Sequence, residues 1–361
     1  MSRPAIAYIH LEHLRHNYRL LVEHADQASI MAVIKANAYG HSLHLIAPAL
    51  LGEGCRSFAV TDANEGACLR KIIGSCGDIV LLSGLFDMED AQLCHNMALT
   101  PALTEPAQLA WLKATGFTGS AWLKVDTGMG RLGSEHINEL YQNCEDSGIG
   151  IAGLMSHLAC ADEPDHPLNE QQLTHFKQIA DTLPAGTRLS LLNSAGLVSM
   201  PASSFDVVRP GIALYGAEPV SNQPLGLQPV MQLSGSVMQI RDVKRGATIS
   251  YGATFTAPGD MRIATVSLGY ADGLPRGLSK LGQAAADLGR DKNKTAILPI
   301  VGRICMDYCM LDVTQADLAP GDEVEFWGER LSASNIAGQL GTIPYELFTG
   351  VGGRVIRKAI Q

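Results

Sequence analysis

A recurring texture constrains this chain more than any other feature: from Ile30 to about Gly211, short apolar runs alternate with polar loops and amphipathic segments. Such alternation marks successive βα units, which lay their strands side by side in a parallel sheet. The apolar runs predict strands over 31–36, 57–60, 79–83, 98–100, 121–126, 150–156, 188–192 and 205–209. Between them, residues 62–73 set Ala63, Ala67 and Ile72 on one helical face, and in 169–183 Leu173, Phe176, Ile179 and Ala180 recur at helical spacing. Eight strands with intervening helices point to an α/β fold closed as a TIM-type β/α barrel. An open doubly wound sheet is the alternative.

After Gly216 the texture changes. A Pro/Gly/Gln-rich stretch, 219–229, reads as a linker and divides the chain into residues 1–220 and 221–361, with roughly the first ten residues available to pair with the second domain. Beyond the linker, β-type runs at 233–240, 247–250, 263–268, 296–301, 308–313 and 323–327 predict a mainly β domain. Helical signal there is confined to 278–288 and 334–340.

With 361 residues, 46% hydrophobic and 17% charged, the chain can bury a substantial core. No apolar run approaches a membrane span, and no signal-peptide core precedes the first barrel strand, so a cytosolic protein is expected. A net charge of −9 without a Lys/Arg block argues against nucleic acid. The eight cysteines form no paired framework, as expected of free thiols in a reducing compartment. His10, His13 and His16, like His41 and His44, can face one side of a helix, but no third ligand or H-E-x-x-H accompanies them, so no metal site is read.

Lys35 carries the first chemical signal. It ends an apolar run, Ala32-Val33-Ile34-Lys35, and is followed by the turn-formers Ala36-Asn37-Ala38-Tyr39-Gly40, so a barrel strand would deliver its amine to the rim where barrel enzymes keep their active sites. Partial desolvation penalises the ammonium and makes a neutral, nucleophilic amine available. Alone, a lysine at a strand end is more often a solvated rim residue. The loops after the last two strands carry Asn193-Ser194-Ala195-Gly196 and Arg209-Pro210-Gly211-Ile212, which can offer a hydroxyl and backbone N–H groups to a phosphate.

The segment AVIKANAYGH resembles the cofactor-lysine signature of alanine racemases, and further blocks resemble that family in its order: LKVDTGMGRLG from 123, MSHLA from 155, LLNSAG from 191, VRPGIALYG from 208, SYGATF from 250, LGYADGLPRG from 268, VGRICMD from 301 and PYE from 344. The resemblance spans nearly the whole chain. It implies a pyridoxal 5'-phosphate enzyme, built from a barrel and a β domain, that interconverts L- and D-alanine for cell-wall peptidoglycan or alanine catabolism. It further implies a homodimer with active sites shared between subunits. Lys35 and Tyr251 become the two acid/base groups that flank the substrate, the tyrosine serving the neighbouring subunit.

On the same resemblance Asn193, Ser194, Gly211 and Ile212 serve the cofactor phosphate, helped by the phenols of Tyr39 and Tyr345. Arg209 lies against the pyridine nitrogen, where a guanidinium disfavours ring protonation and should limit transamination. His157 bridges Tyr251 and Arg209 and is expected to supply the cationic help a phenol needs near neutrality. Arg131 contacts the cofactor oxygen and the substrate carboxylate, held by a carbamate on Lys124. Met306 offers backbone contact to the substrate, Tyr270 and Tyr345 narrow the entrance, and Arg303, Arg276 and Asp162 lie further out. Ser42, where a glycine commonly follows the histidine, a long segment at 281–294 and a glycine-rich tail depart from the pattern. A broader-specificity or serine racemase, a pyridoxal-phosphate decarboxylase and a barrel-only cofactor carrier are the rivals; Arg209 speaks against the second, and Tyr251, Met306 and the β domain against the third.

Overall fold

A computed structural model describes residues 4–279, 281–288 and 291–361. Of the long 281–294 segment, Gly289 and Arg290 lie outside the described residues, as does Lys280 beside it. The chain forms two compact units: one comprises residues up to His13, Tyr39–His41 and Gln228–Gln361, the other Leu14–Ala38 and Ser42–Leu227.

The first strand, β1 (Ala5–His10), belongs to the former unit. The other unit is the barrel. Its eight parallel strands are β2 (Ser29–Val33), β3 (Ser57–Val60), β4 (Asp78–Leu81), β5 (Thr100–Leu103), β6 (Ser120–Lys124), β7 (Gly150–Met155), β8 (Leu189–Ser190) and β9 (Val207–Val208). They are ordered β8-β7-β6-β5-β4-β3-β2-β9, and an Asn193/Arg209 bridge brings the two ends of that path together. All eight expected barrel strands are present, and the closed arrangement replaces the open-sheet alternative. Their apolar runs are continuous because a barrel strand is buried on both faces: Phe58, Ala59 and Val60 of β3 are as inaccessible as Ile79, Val80 and Leu81 of β4. The helix Ala63–Ile73 starts where Asp62 accepts the Glu65 N–H as an N-cap and buries Ala63, Gly66, Ala67, Leu69 and Ile73.

The second unit is mainly β. It contains β10 (Met231–Val243), β11 (Thr248–Ile249), β12 (Phe255–Thr256), β13 (Met261–Val266), β14 (Gln283–Leu288), β15 (Asp291–Pro299), β16 (Cys309–Asp312), β17 (Glu323–Trp327) and β18 (Ile356–Ile360). The long β10 pairs with β1, β13 and β17, and β1 pairs on its other side with β18. The helix expected over 278–288 is not there: Arg276–Leu278 make one 3-10 turn and Gln283–Leu288 are a strand. Alanine-rich QAAADL has helical propensity, but β14 lies between β15 and β17 with Ala284, Ala285 and Ala286 buried, and pairing overrides the local preference. A helix at Pro344–Gly350 adds to the expected one, which runs Ala333–Leu340. Among the described residues no helix is long and apolar enough to cross a membrane.

One connection is conformationally unusual. After β2 the chain enters a left-handed turn, with Ala36, Asn37, Ala38 and Tyr39 at φ of 51, 53, 56 and 51°. For L-residues this backbone costs roughly 1–2 kcal/mol per residue, so it must be braced. The Ala38 N–H donates to the Ile34 carbonyl at 2.9 Å, the Ala36 N–H to Glu65 at 2.7 Å and the Leu43 N–H to the Asn37 side chain at 2.8 Å. Gly40 follows at φ 79°, where a Cβ would lie 2.2 Å from the Phe348 carbonyl oxygen. Ser42 is also left-handed, at φ 77°. Relief of strain at Ser42 exceeds the extra entropy of an unfolded glycine. Ser42→Gly should therefore raise the melting temperature, with a gain of about 0.5–1 kcal/mol in denaturant titration; a loss of stability would show that the serine side chain braces the turn.

Candidate active site

Lys35 stands one residue past Ile34, at the C-terminal end of β2 and the start of the left-handed turn. Burial is the main cause that lowers its pKa; the Arg131 charge adds to this and Glu65 opposes it. Lys124 ends β6, is buried, and donates to the Leu82 carbonyl at 2.7 Å. Its pKa falls to about 8, through burial first and then the charges of Arg209, Arg131 and Lys35, with Asp126 opposing. Arg209 follows β9, fully enclosed; burial draws it down to about 10, which still leaves it cationic at neutral pH. With Arg131 from the loop after β6, four basic side chains from three strand ends thus share one region of the barrel unit.

His157, past the end of β7, completes this group. Burial and the charges of Arg209, Arg131, Lys124 and Lys35 push its pKa well below the usual histidine value, so the ring is neutral. The expectation of a cationic histidine fails here: the positive charge resides on Arg209, whose Nη2 lies 3.4 Å from His157 Nδ1. Two polar residues that sequence reasoning passed over fix this pair. The buried Ser190 hydroxyl donates to the Val207 carbonyl at 2.7 Å and accepts from Arg209 Nη1 at 2.5 Å. Gln172, fully buried, donates to the His157 carbonyl at 2.9 Å and accepts the Ala159 N–H at 2.8 Å.

The Arg131 loop is shaped by Asp126. Its carboxylate accepts the N–H groups of Gly128, Met129 and Arg131 at 2.7–2.8 Å. Burial alone would raise the Asp126 pKa, but these donors together lower it. Ser194, buried at the start of a short helix capped by Asn193, accepts the N–H groups of Gly211 at 2.8 Å and Ala213 at 3.3 Å. Two accepted bonds leave its hydroxyl hydrogen for an anionic acceptor, and Ile212 follows Gly211 into a 3-10 turn beside it. Glu65, also missed from sequence, accepts the Ala36 N–H at 2.7 Å and the Thr61 N–H at 2.8 Å.

Asp162 is exposed on the barrel unit, and the remaining candidates lie in the β unit. Tyr39 and Tyr345 place their rings 5.7 Å apart. Tyr251 is 69% exposed, and its neighbours are strained, with Ser250 at φ 64° and Ala253 at φ 47°. The Ser250 hydroxyl braces this turn by donating to the Arg303 carbonyl at 2.6 Å, and the Arg303 guanidinium lies over Gly252. Ile249, just before this turn, belongs to an apolar cluster with Ala257, Met261, Ile263, Val301 and Met310. Tyr251 lines a cleft of about 830 Å³ with Arg241, Ser250, Cys305, Met306 and Tyr308.

Met306 and Tyr270, both exposed, belong to two loops joined by Tyr270 N–H to Cys305 O and Ala271 N–H to Met306 O, each 3.0 Å. Gly269 permits that approach, since a Cβ there would meet the Met306 carbonyl oxygen at 2.4 Å. Arg354, from the glycine-rich tail, clamps the pair by donating to buried Asp272 and to Asp307 at 2.7 Å each.

Residues 9–219 match the family profile described as alanine racemase, N-terminal domain, and residues 230–359 the alanine racemase C-terminal domain. The chain is 40% identical to the alanine racemase of Halorhodospira halophila, with 100% of this chain and 99% of the relative covered. It is 39% identical to a catabolic alanine racemase of Agrobacterium fabrum, covering 98% and 91%. Among solved structures, it is similar to the biosynthetic alanine racemase of Pseudomonas aeruginosa, with a TM-score of 0.90 at 36% identity over 100% of both chains. It is also similar to the Bartonella henselae alanine racemase with covalently bound pyridoxal phosphate, with a TM-score of 0.89 at 34% identity over 99% of both. Matches that cover both units and essentially the full length of each relative place this chain in the alanine racemase family.

Proposed function

We propose that this chain interconverts L- and D-alanine with pyridoxal phosphate held at the strand ends of the barrel, Lys35 and Tyr251 serving opposite faces of the substrate Cα. The observation that carries this reading is the basic cluster itself. Lys35, Lys124, Arg131 and Arg209 bear on one another in a region where Glu65 and Asp126 are the carboxylates whose charges offset them. So much positive charge in a low-dielectric region fits a ligand rich in anionic oxygens. A phosphorylated, phenolic cofactor supplies them, and the Ser194 hydroxyl suits its phosphate. Arg131 and Arg209 suit its phenolic oxygen and ring nitrogen.

When bound, pyridoxal phosphate supplies the electron sink that makes the substrate Cα–H acidic. The remaining work falls to side chains. Lys35, with its lowered pKa, offers an amine that accepts or returns the Cα proton on one face. Tyr251 does the same on the other through its phenol oxygen, with neutral His157 as a hydrogen-bonding link to cationic Arg209. Arg209 stays charged through the cycle and keeps a proton off the cofactor ring nitrogen. Tyr270, Tyr345 and the Met306 loop restrict the substrate side chain and orient its carboxylate. The exposure of Tyr251 on a braced turn supports its use by a second copy of the chain, as a homodimer with shared sites. All eight cysteines are free, which supports a cytosolic setting. Relatives described as biosynthetic and as catabolic are both similar to this chain, and either role suits the same chemistry.

Lys35→Ala should abolish racemisation; borohydride, which should bleach the visible absorbance of wild type and leave the reduced cofactor covalently attached, should attach none to the variant. Tyr251→Phe should lose on the order of 10²–10⁴ in rate. Because the two enantiomers have equal free energy, kcat/KM stays equal in both directions in any variant, so the two-base assignment is read by isotope exchange in D2O. Tyr251→Phe should exchange the α-proton of one enantiomer and not of the other; equal exchange from both would remove the assignment.

Carbamylation of Lys124 is also proposed, as a negative partner for Arg131. A pKa of about 8 leaves an appreciable neutral amine near physiological pH, and the neutral amine is the form that reacts with CO2. At constant dissolved CO2, activity after CO2 depletion should recover further as pH rises from 7 to 9, and Lys124→Met should show no CO2 response. Full activity in rigorously CO2-free buffer would exclude the carbamate.

A further inference from the structure

One cluster of donor atoms in the β unit has no part in racemisation. His10 ends β1, His13 lies in the first turn of the helix Leu11–Ala25, and Glu329 sits just beyond β17. One ligand-type atom from each lies within 4.8 Å of the other two. The turn beyond β17 brings in the third ligand that the histidine spacing alone lacked.

The hydrogen bonding around these residues is incomplete in a specific way. His13 Nδ1 lies 2.7 Å from the Pro229 carbonyl oxygen, and because a carbonyl only accepts, that nitrogen carries the proton. In the neutral ring, Nε2 then turns a lone pair toward Glu329, whose carboxylate oxygen is 3.5 Å away. A positive charge on or between them would relieve this opposition of lone pairs. The His10 ring stacks on His13 with centroids 4.8 Å apart, and its own Nε2 is buried without a hydrogen-bond partner. A proton on His13 would satisfy Glu329 alone, whereas a divalent cation would take a lone pair from each ring and from the carboxylate once the stacked rings, 12° from parallel, turn so that their in-plane lone pairs converge.

We propose that His10, His13 and Glu329 bind a divalent transition-metal ion of the zinc class, with water in the fourth position. Two imidazoles and one carboxylate suit such an ion better than magnesium or calcium, which take all-oxygen shells. The Pro229 carbonyl holds His13 in the tautomer that ligation through Nε2 needs, as an outer partner commonly does for a metal-bound histidine. Bonds of about 2.0–2.1 Å require the ligand atoms to draw closer than they stand, and Glu329, with a side chain 58% exposed, has room to move. Since β1 and β17 both pair with β10, an ion here would tie the two strands that flank it.

The test uses untagged holoenzyme, treated with chelator and titrated with Zn²⁺ by calorimetry. We expect one Zn²⁺ per chain and a rise in melting temperature, with affinity reduced on the order of tenfold or more in His13→Ala and in Glu329→Gln. Racemase rates of these variants without metal should match wild type. Equal zinc binding by wild type and both variants, or none by wild type, would overturn the site; the latter would leave a protonated His13 paired with Glu329. Co²⁺ on the wild-type protein gives a readout free of folding effects: visible bands of tetrahedral N/O ligation are expected, and a near-ultraviolet thiolate band would assign the ion to cysteine instead.

Discussion

Positive charge gathered where barrel strands end is the constraint on which the rest of this structure turns. Lys35, Lys124, Arg131 and Arg209 come from positions up to 174 residues apart, and only a closed parallel barrel delivers all of them to one region. Burial penalises the charge on Lys35 and on Lys124, and neighbouring cations penalise it again, which is why both lysines are shifted toward neutrality, while buried Arg209 remains a cation held by Ser190, Ser156 and Leu191. Arginine suits the permanent charge because its pKa starts so high; lysine suits the role in which a proton must come and go. The same field keeps His157 neutral. A ligand with phosphate and phenolate oxygens relieves this repulsion, so the stability of the folded protein and its affinity for such a cofactor are linked.

Strain is distributed with the chemistry. The left-handed turn that follows Lys35 and the turn that presents Tyr251 both hold non-glycine residues at positive φ, and both are braced by side-chain bonds, from Glu65 and Asn37 in one and from Ser250 in the other. Such turns persist only where surrounding contacts determine them, and they fix the direction of the side chain they carry. In the proposed reading, two bases on opposite faces of one flat carbon demand that precision from both units.

Most of the architecture was legible because each barrel strand is apolar on both faces and each helix is apolar on one, so period and spacing carry the pattern directly. The alanine-rich strand Gln283–Leu288 was not, since its small residues have no strand signal and only its neighbours select that conformation. Lys35 was visible as a lysine ending an apolar run, and the phosphate loops as glycine and serine at late strand ends. Ser190, Gln172, Glu65 and Arg354 were not visible, because each acts through a bond to a distant partner and sits in ordinary local sequence. The neutrality of His157 was equally hidden: it follows from burial first and then from four basic groups that converge only in the folded barrel. The glycine preference at position 42 was noticed as a pattern, and the backbone at φ 77° gives its cause.

Whether the base on the β unit acts on a neighbouring chain can be measured directly by mixing two inactive proteins. Lys35→Ala retains a working tyrosine and Tyr251→Phe a working lysine, so a mixed dimer with shared sites contains one intact pair of bases and one doubly defective pair. Dissociated and reassociated in equal amounts, the two should recover about a quarter of wild-type activity, since half the dimers are mixed and half their sites are intact. Activity no greater than the average of the two separate variants would contradict the shared site and place both bases within one chain.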